Sequence, residues 1–136
     1  DVLTYTTPPL DSELLLAGEL SLEVYAEADS PSFDLCAVIS EVKPNGQVYT
    51  ITQGYRRVQK AQPATPIPLD CQPTCIRIPQ GHALRLSLSA ACFPAYPVNT
   101  GTGSPVREER LIDARILTLT LHSGGDSPSR LHLPIV

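Results

Sequence analysis

Residues 76–101 read IRIPQGHALRLSLSAACFPAYPVNTG, and the order of side chains in them carries the architecture of the chain. Ile76 and Ile78 flank Arg77, Pro79, Gln80 and Gly81 make a turn, and Leu84, Leu86 and Leu88 then alternate with Arg85, Ser87 and Ser89. A period of two sends neighbouring side chains to opposite faces, so this pattern predicts a hairpin with one buried face. Past Ser89 the ladder cannot continue, because Pro94 and Pro97 lack the amide donor and Gly101 invites a turn. A core strand therefore feeds a shaped loop that carries Phe93, Tyr96 and Asn99.

The same alternation recurs on both sides. Leu20, Leu22, Val24 and Ala26 interleave with Ser21, Glu23, Tyr25 and Glu27, which predicts a half-buried antiparallel strand. Residues 33–42 are apolar at consecutive positions through 35–39 and predict a central strand covered on both faces. Asn45-Gly46 then separates it from a strand at 48–52, a strong hairpin signal, and Gly54 is read as a bulge before 55–58. Three prolines in 59–68 suggest a long crossover between sheets. Between 112 and 122 the apolar parity switches from even to odd, as in a strand that bends, and Pro134 marks 131–135 as an edge. The expectation is an all-β chain of about eight strands in a two-sheet sandwich, most simply a jelly roll.

With 136 residues, 42% of them hydrophobic, the chain has the material for one core, so a single domain spanning 1–136 is expected. A net charge of -4 with no basic cluster argues against nucleic acid, and no apolar run is long enough to span a membrane. The opening DVLTYTT has no signal-peptide character and no initiator Met, which suggests a piece of a longer polypeptide in a cytoplasmic setting. A homo-oligomer is compatible with all of this.

Catalytic signatures are sparse. No Gly-x-Ser-x-Gly elbow occurs, and Ser104 in GTGSP lacks the spacing, so this chain by itself is not expected to be an enzyme. His82, His122 and His132 sit in or beside alternating runs and read as polar-face or turn residues. Asp34 and Asp70 are each a possible half of a carboxylate pair, and more simply strand-end residues. Cys71 and Cys75 lack the second close pair that zinc requires, and Cys36 and Cys92 lie in apolar sequence, leaving buried thiols or a Cys71–Cys75 bridge. No metal site and no cofactor is expected, since phosphate-cradling and EF-hand spacings are both missing. Phe93, Tyr96 and Asn99 remain as candidates for substrate or domain-interface contact, because rigid aromatics lose little entropy on burial. Against that stands a loop that simply folds over its own sandwich.

Several of these features recur together in one family. Thr-Tyr-Thr-x-Pro-x-Leu at 4–10, Gly18, Phe33-Asp34, Pro44-Asn45-Gly46, Gly54-x-x-Arg57, Gly81-His82, Phe93-Pro94 and Asn99-Thr100-Gly101 stand in order along the chain. This series resembles the C-terminal domain of the X-prolyl dipeptidyl-peptidase and cocaine-esterase family of serine hydrolases. The resemblance implies a galactose-binding-like jelly roll attached, in the same polypeptide, to an α/β-hydrolase domain that supplies the catalytic Ser, Asp and His. It further implies a non-catalytic accessory role, packing on that domain and shaping substrate access for peptidase, esterase or acyl-hydrolase chemistry. The loop between Phe-Pro and Asn-Thr-Gly is shorter here than in the family. The alternative is an independent carbohydrate-binding module, which calls for exposed aromatic platforms and meets a chain with no Trp.

Overall fold

The computed structural model describes residues 1–59, 65–92 and 95–136. After β1 (Val2–Thr6) and β2 (Leu14–Gly18), β3 (Ser21–Ala28) buries Leu22, Val24 and Ala26 and leaves Glu23 and Glu27 half exposed. The predicted alternation is present. The strand predicted to be covered on both sides is β4 (Ser32–Val42), buried on either face over most of its length. It turns at Asn45-Gly46 into β5 (Val48–Gln59), where the Gln47 amide donates to Asn45 Oδ1 at 3.0 Å and Gly46 sits at φ +86°. A Cβ on Gly46 would meet no neighbour, so Gly46→Ala pays only for the left-handed backbone. It is expected to cost about 1 kcal/mol in urea unfolding.

The chain continues through β6 (Ile67–Asp70), β7 (Thr74–Ile78), β8 (Ala83–Ser89), two 3-10 turns at Val106–Glu108 and Leu111–Asp113, β9 (Leu119–His122) and β10 (Arg130–His132). All the strand pairings are antiparallel. One sheet runs β1-β8-β4-β5, a second runs β10-β3-β6 with β9 also on β3, and β2 and β7 form a separate ribbon. Between the sheets, Phe33, Leu35 and Ile39 of β4 share one core with Leu22, Val24 and Leu69. Each such fully buried side chain contributes roughly 1.5–3 kcal/mol, which makes this layer the main source of stability. The molecule is an all-β sandwich, as the alternation predicts.

Three local expectations fail for physical reasons. β7 and β8 do not form a hairpin: β8 lies between β1 and β4, so both its edges are occupied, and β7 pairs with β2. The intervening turn crosses between layers and is held by the Gly81 amide donating to Leu10 O at 2.9 Å. The bulge in β5 falls at Ile51, because Ile39 pairs with Thr52 and Ser40 with Thr50. Gly54 instead marks a close approach, where its bridge to Cys71 joins the two sheets. The run at 112–122 becomes strand only from Leu119, and Ile112 and Ile116 are exposed. Of the expected crossover, residues 60–64 lie outside the described residues and Ile67 already belongs to β6. No helix among the described residues is long and apolar enough to cross a membrane.

Candidate functional site

β4 is central in its sheet, and its outward side chains Ser32, Asp34 and Cys36 are nevertheless buried. Asn99, in the loop after β8, lies against Ser32 and Asp34. Asp34, only 2% exposed, stands directly across from Arg57 on β5 and accepts from Arg57 Nε at 3.0 Å. The Tyr55 hydroxyl donates to the same carboxylate at 2.9 Å, and Asn99 Nδ2 donates to it at 2.8 Å and to Ser32 Oγ at 2.8 Å. Three donors, two from β5 and one from the loop, therefore converge on one buried carboxylate, which is how a buried charge becomes tolerable.

The guanidinium carries the network outward. Arg57 also binds Glu109 Oε2 at 3.2 Å, and donates to the Pro97 carbonyl at 3.3 Å. Glu109 in turn accepts from Thr100 Oγ1 at 3.1 Å, while the Thr100 carbonyl accepts from the Arg115 amide at 2.9 Å. Burial opposes the Arg57 charge, but the hydrogen bonds and charge of Asp34 outweigh it and hold its pKa above the ordinary arginine value. Burial, followed by the bond to Asp34, pushes the Tyr55 phenol up to about 12, so it remains a donor at neutral pH. The Tyr96 ring lies flat on Tyr55, centroids 3.8 Å apart and planes 6° from parallel. Two rings spent on each other are not free as a sugar platform.

Of the candidates named from sequence, Tyr96 and Asn99 are brought together in this cluster and Phe93 lies outside the described residues. Asp34 meets cationic and neutral donors, not Asp70. The histidines lie elsewhere: His82 bonds Glu41, His122 faces Glu27 at 3.4 Å, and His132 faces Glu23 at 3.3 Å. All four cysteines are free thiols, so Cys71 and Cys75 are not bridged. Among the described residues no three His, Cys, Asp or Glu side chains group as metal ligands. Sequence reasoning missed the hub formed by Asp34, Arg57 and Glu109. Its local signals are an acid within the largely buried β4 and the Phe33-Asp34 and Gly54-x-x-Arg57 motifs, none of which says that the two side chains meet.

A concavity of about 350 Å³ opens between β1/β8 and β9/β10, walled mainly by Leu22, Leu86, Leu121, Leu131 and Leu133, with Tyr5 alongside. It is apolar and holds none of the polar cluster.

An all-β sandwich whose buried ion pair orders a loop defines a structural module, with Asp34, Arg57 and Glu109 committed to holding its shape. The chain belongs to the family of X-Pro dipeptidyl-peptidase C-terminal non-catalytic domains, which it matches over residues 1–132. It is 24% identical over 147 residues to the cocaine esterase of Rhodococcus sp. (strain MB1 Bresler), spanning 100% of this chain and 26% of that protein. Among solved structures it is similar to an α-amino acid ester hydrolase (TM-score 0.89, 20% identity), covering 100% of this chain and 26% of the other. It is equally similar to an aminopeptidase from a marine sediment Thaumarchaeota archaeon (TM-score 0.90, 18% identity, 100% and 26% covered). A CocE/NonD family hydrolase from Staphylococcus aureus aligns at TM-score 0.72 and 18% identity, with 99% of this chain and 30% of that chain covered. The chain thus spans about a quarter of the length of the curated relative it matches. In these relatives the domain is one part of a larger hydrolase chain.

Proposed function

We propose that residues 1–136 are a jelly-roll accessory domain of a longer serine hydrolase acting on acyl, ester or X-Pro peptide bonds. It docks on that enzyme's α/β catalytic domain and shapes access to its active site. The observation that supports this reading is the strap that runs from the second 3-10 turn to β9. Leu111 is 74% exposed, Ile112 86%, and Ile116 fully so, although the sequence pattern there demands burial. Among the described residues they stay uncovered. Polar groups surround the apolar ones, with Arg110 paired to Asp113 at 2.8 Å, an arrangement suited to an interface with an apolar centre and a polar rim. Tyr96 and Asn99 serve this interface by position: they clamp the loop whose Thr100 and Glu109 hold the base of the strap.

Because both isoleucines are exposed, Ile112→Asp with Ile116→Asp is expected to leave the far-ultraviolet circular dichroism unchanged. In the full-length hydrolase the same pair is expected to shorten the half-life of activity at elevated temperature at least tenfold, from roughly 1.5–3 kcal/mol of lost burial per side chain. A full-length double variant as active and as durable as the parent would sink the reading.

A further inference from the structure

The sandwich is closed along one side and open along the other. Next to β6, the Gly54–Cys71 bridge joins the two sheets. On the far side β1 is outermost in the first sheet, and β9 and β10 follow one another along β3 in the second. Cross-strand partners share a face, so Tyr5, opposite Leu86, and Leu86, opposite the fully buried Ile39, are aimed at the core. Leu131, opposite Leu22, and Leu121, opposite Ala26, are aimed there from the second sheet. Tyr5 nevertheless stays 48% exposed, and Leu86, Leu121 and Leu131 are only partly buried. The concavity of about 350 Å³ lies between these side chains, a volume in the range of small-molecule sites.

The charged residues along it have one sign. Arg85 comes from the first sheet and Arg130 from the second, and among the described residues no Asp or Glu lines the cleft. Neither arginine joins an ion pair among those residues. Arg85 Nε donates to Thr6 Oγ1 at 2.9 Å, which leaves its terminal nitrogens for another acceptor. The nearby acids are engaged elsewhere: Glu23, opposite Arg130, faces His132 at 3.3 Å, and Glu27 faces His122, the third basic residue of the lining, at 3.4 Å. In a chain of net charge -4, this is a local excess of positive charge beside an apolar space.

We propose that the cleft binds a medium-chain aliphatic monocarboxylate, its tail between the two sheets and its carboxylate at Arg85 and Arg130. At about 30 Å³ per non-hydrogen atom, a water's share of the liquid, the space takes on the order of ten atoms. Solvent finds few hydrogen-bond partners on leucine walls, so an apolar tail displaces it with a gain in free energy. A guanidinium at the mouth then matches the carboxylate in charge and in geometry.

The test uses protein expressed from its complete reading frame and a photoreactive probe, a straight-chain acid of about ten carbons with a diazirine at its far end. After irradiation and digestion, mass spectrometry is expected to find the label on peptides carrying Tyr5, Leu86, Leu121 or Leu131. Excess decanoate should remove it, with half-saturation on the order of 10–100 μM. Arg85→Gln combined with Arg130→Gln should weaken labelling by the acid roughly tenfold, as expected for a lost charge-assisted contact, and change labelling by the corresponding alcohol by less than about twofold. Decanoate-sensitive label confined to peptides outside residues 1–136 would overturn the proposal. So would a double arginine variant that the acid labels as strongly as the parent, or one in which acid and alcohol labelling are lost equally, since the arginines would then act on the fold and not on the carboxylate.

Discussion

Asp34→Ala is expected to be among the most damaging single substitutions in the chain, lowering stability by about 3 kcal/mol and the thermal midpoint by roughly 10 °C. Removing one partner of a buried ion pair leaves the other charge without compensation, a loss of about 3–5 kcal/mol in the usual case. Here the lower end applies, because Glu109 still accepts from Arg57 at 3.2 Å and the Arg57 side chain is 15% exposed. The same change also strips an acceptor from Tyr55 and from Asn99. The near-ultraviolet dichroism of the stacked Tyr55 and Tyr96 should therefore weaken together with stability. Asp34→Asn, which keeps an acceptor but loses the charge, should fall between. Denaturation curves of Asp34→Ala superimposable on the parent would show that the cluster contributes nothing.

Gly54→Ala carries the second large effect, about 3 kcal/mol, at the upper end of what overpacking usually costs. A Cβ at this position would lie 2.5 Å from Leu69 Cδ2 and 2.6 Å from the Asp70 carbonyl oxygen. The leucine can move aside. The carbonyl cannot, because β6 is fixed by its pairing to β3 and the sheets meet at the Gly54–Cys71 bridge. Adding Leu69→Ala to Gly54→Ala should consequently fail to restore stability in urea titrations. A double variant more stable than Gly54→Ala alone would show that the side chain, not the backbone, is the obstacle.

How far the fold is legible from sequence depends on which force shapes each segment. Local alternation identifies β3, the doubly covered β4 and the Asn45-Gly46 turn, because burial and turn chemistry act on neighbouring residues. Pairing is less accessible. Ile76 and Ile78 resemble half of a hairpin with Leu84 to Leu88, yet whether β8 has a vacant edge is decided by β1 and β4, far away in the chain. Gly54 looks like a bulge from within β5, and only β6 reveals that the missing side chain makes room for another backbone. Ile112 and Ile116 have the composition of a strand and yet stand exposed, so their pattern does not say which segment of the chain becomes strand.

The cluster follows the same division. Tyr96 and Asn99 stand out as a rigid aromatic and an amide among prolines, and the structure joins both to it. Asp34 and Arg57 reach each other only through the β4-β5 register, and Glu109 arrives from a segment with no regular structure. The motifs Phe-Asp, Gly-x-x-Arg and Asn-Thr-Gly, separate in sequence, are thereby three parts of one hydrogen-bonded unit.

The pairing of β1 with β8 sets an order of assembly. Val2 lies opposite Ser89 and Thr6 opposite Arg85, so the earliest strand in the chain has its partner more than 75 residues downstream. During synthesis it must wait unpaired until that partner leaves the ribosome, while the β4-β5 hairpin can already form. Native topology of this kind favours slow closure over many milliseconds to seconds. The nascent segment around Leu3 and Tyr5 is accordingly where a chaperone would find the growing chain most persistently open.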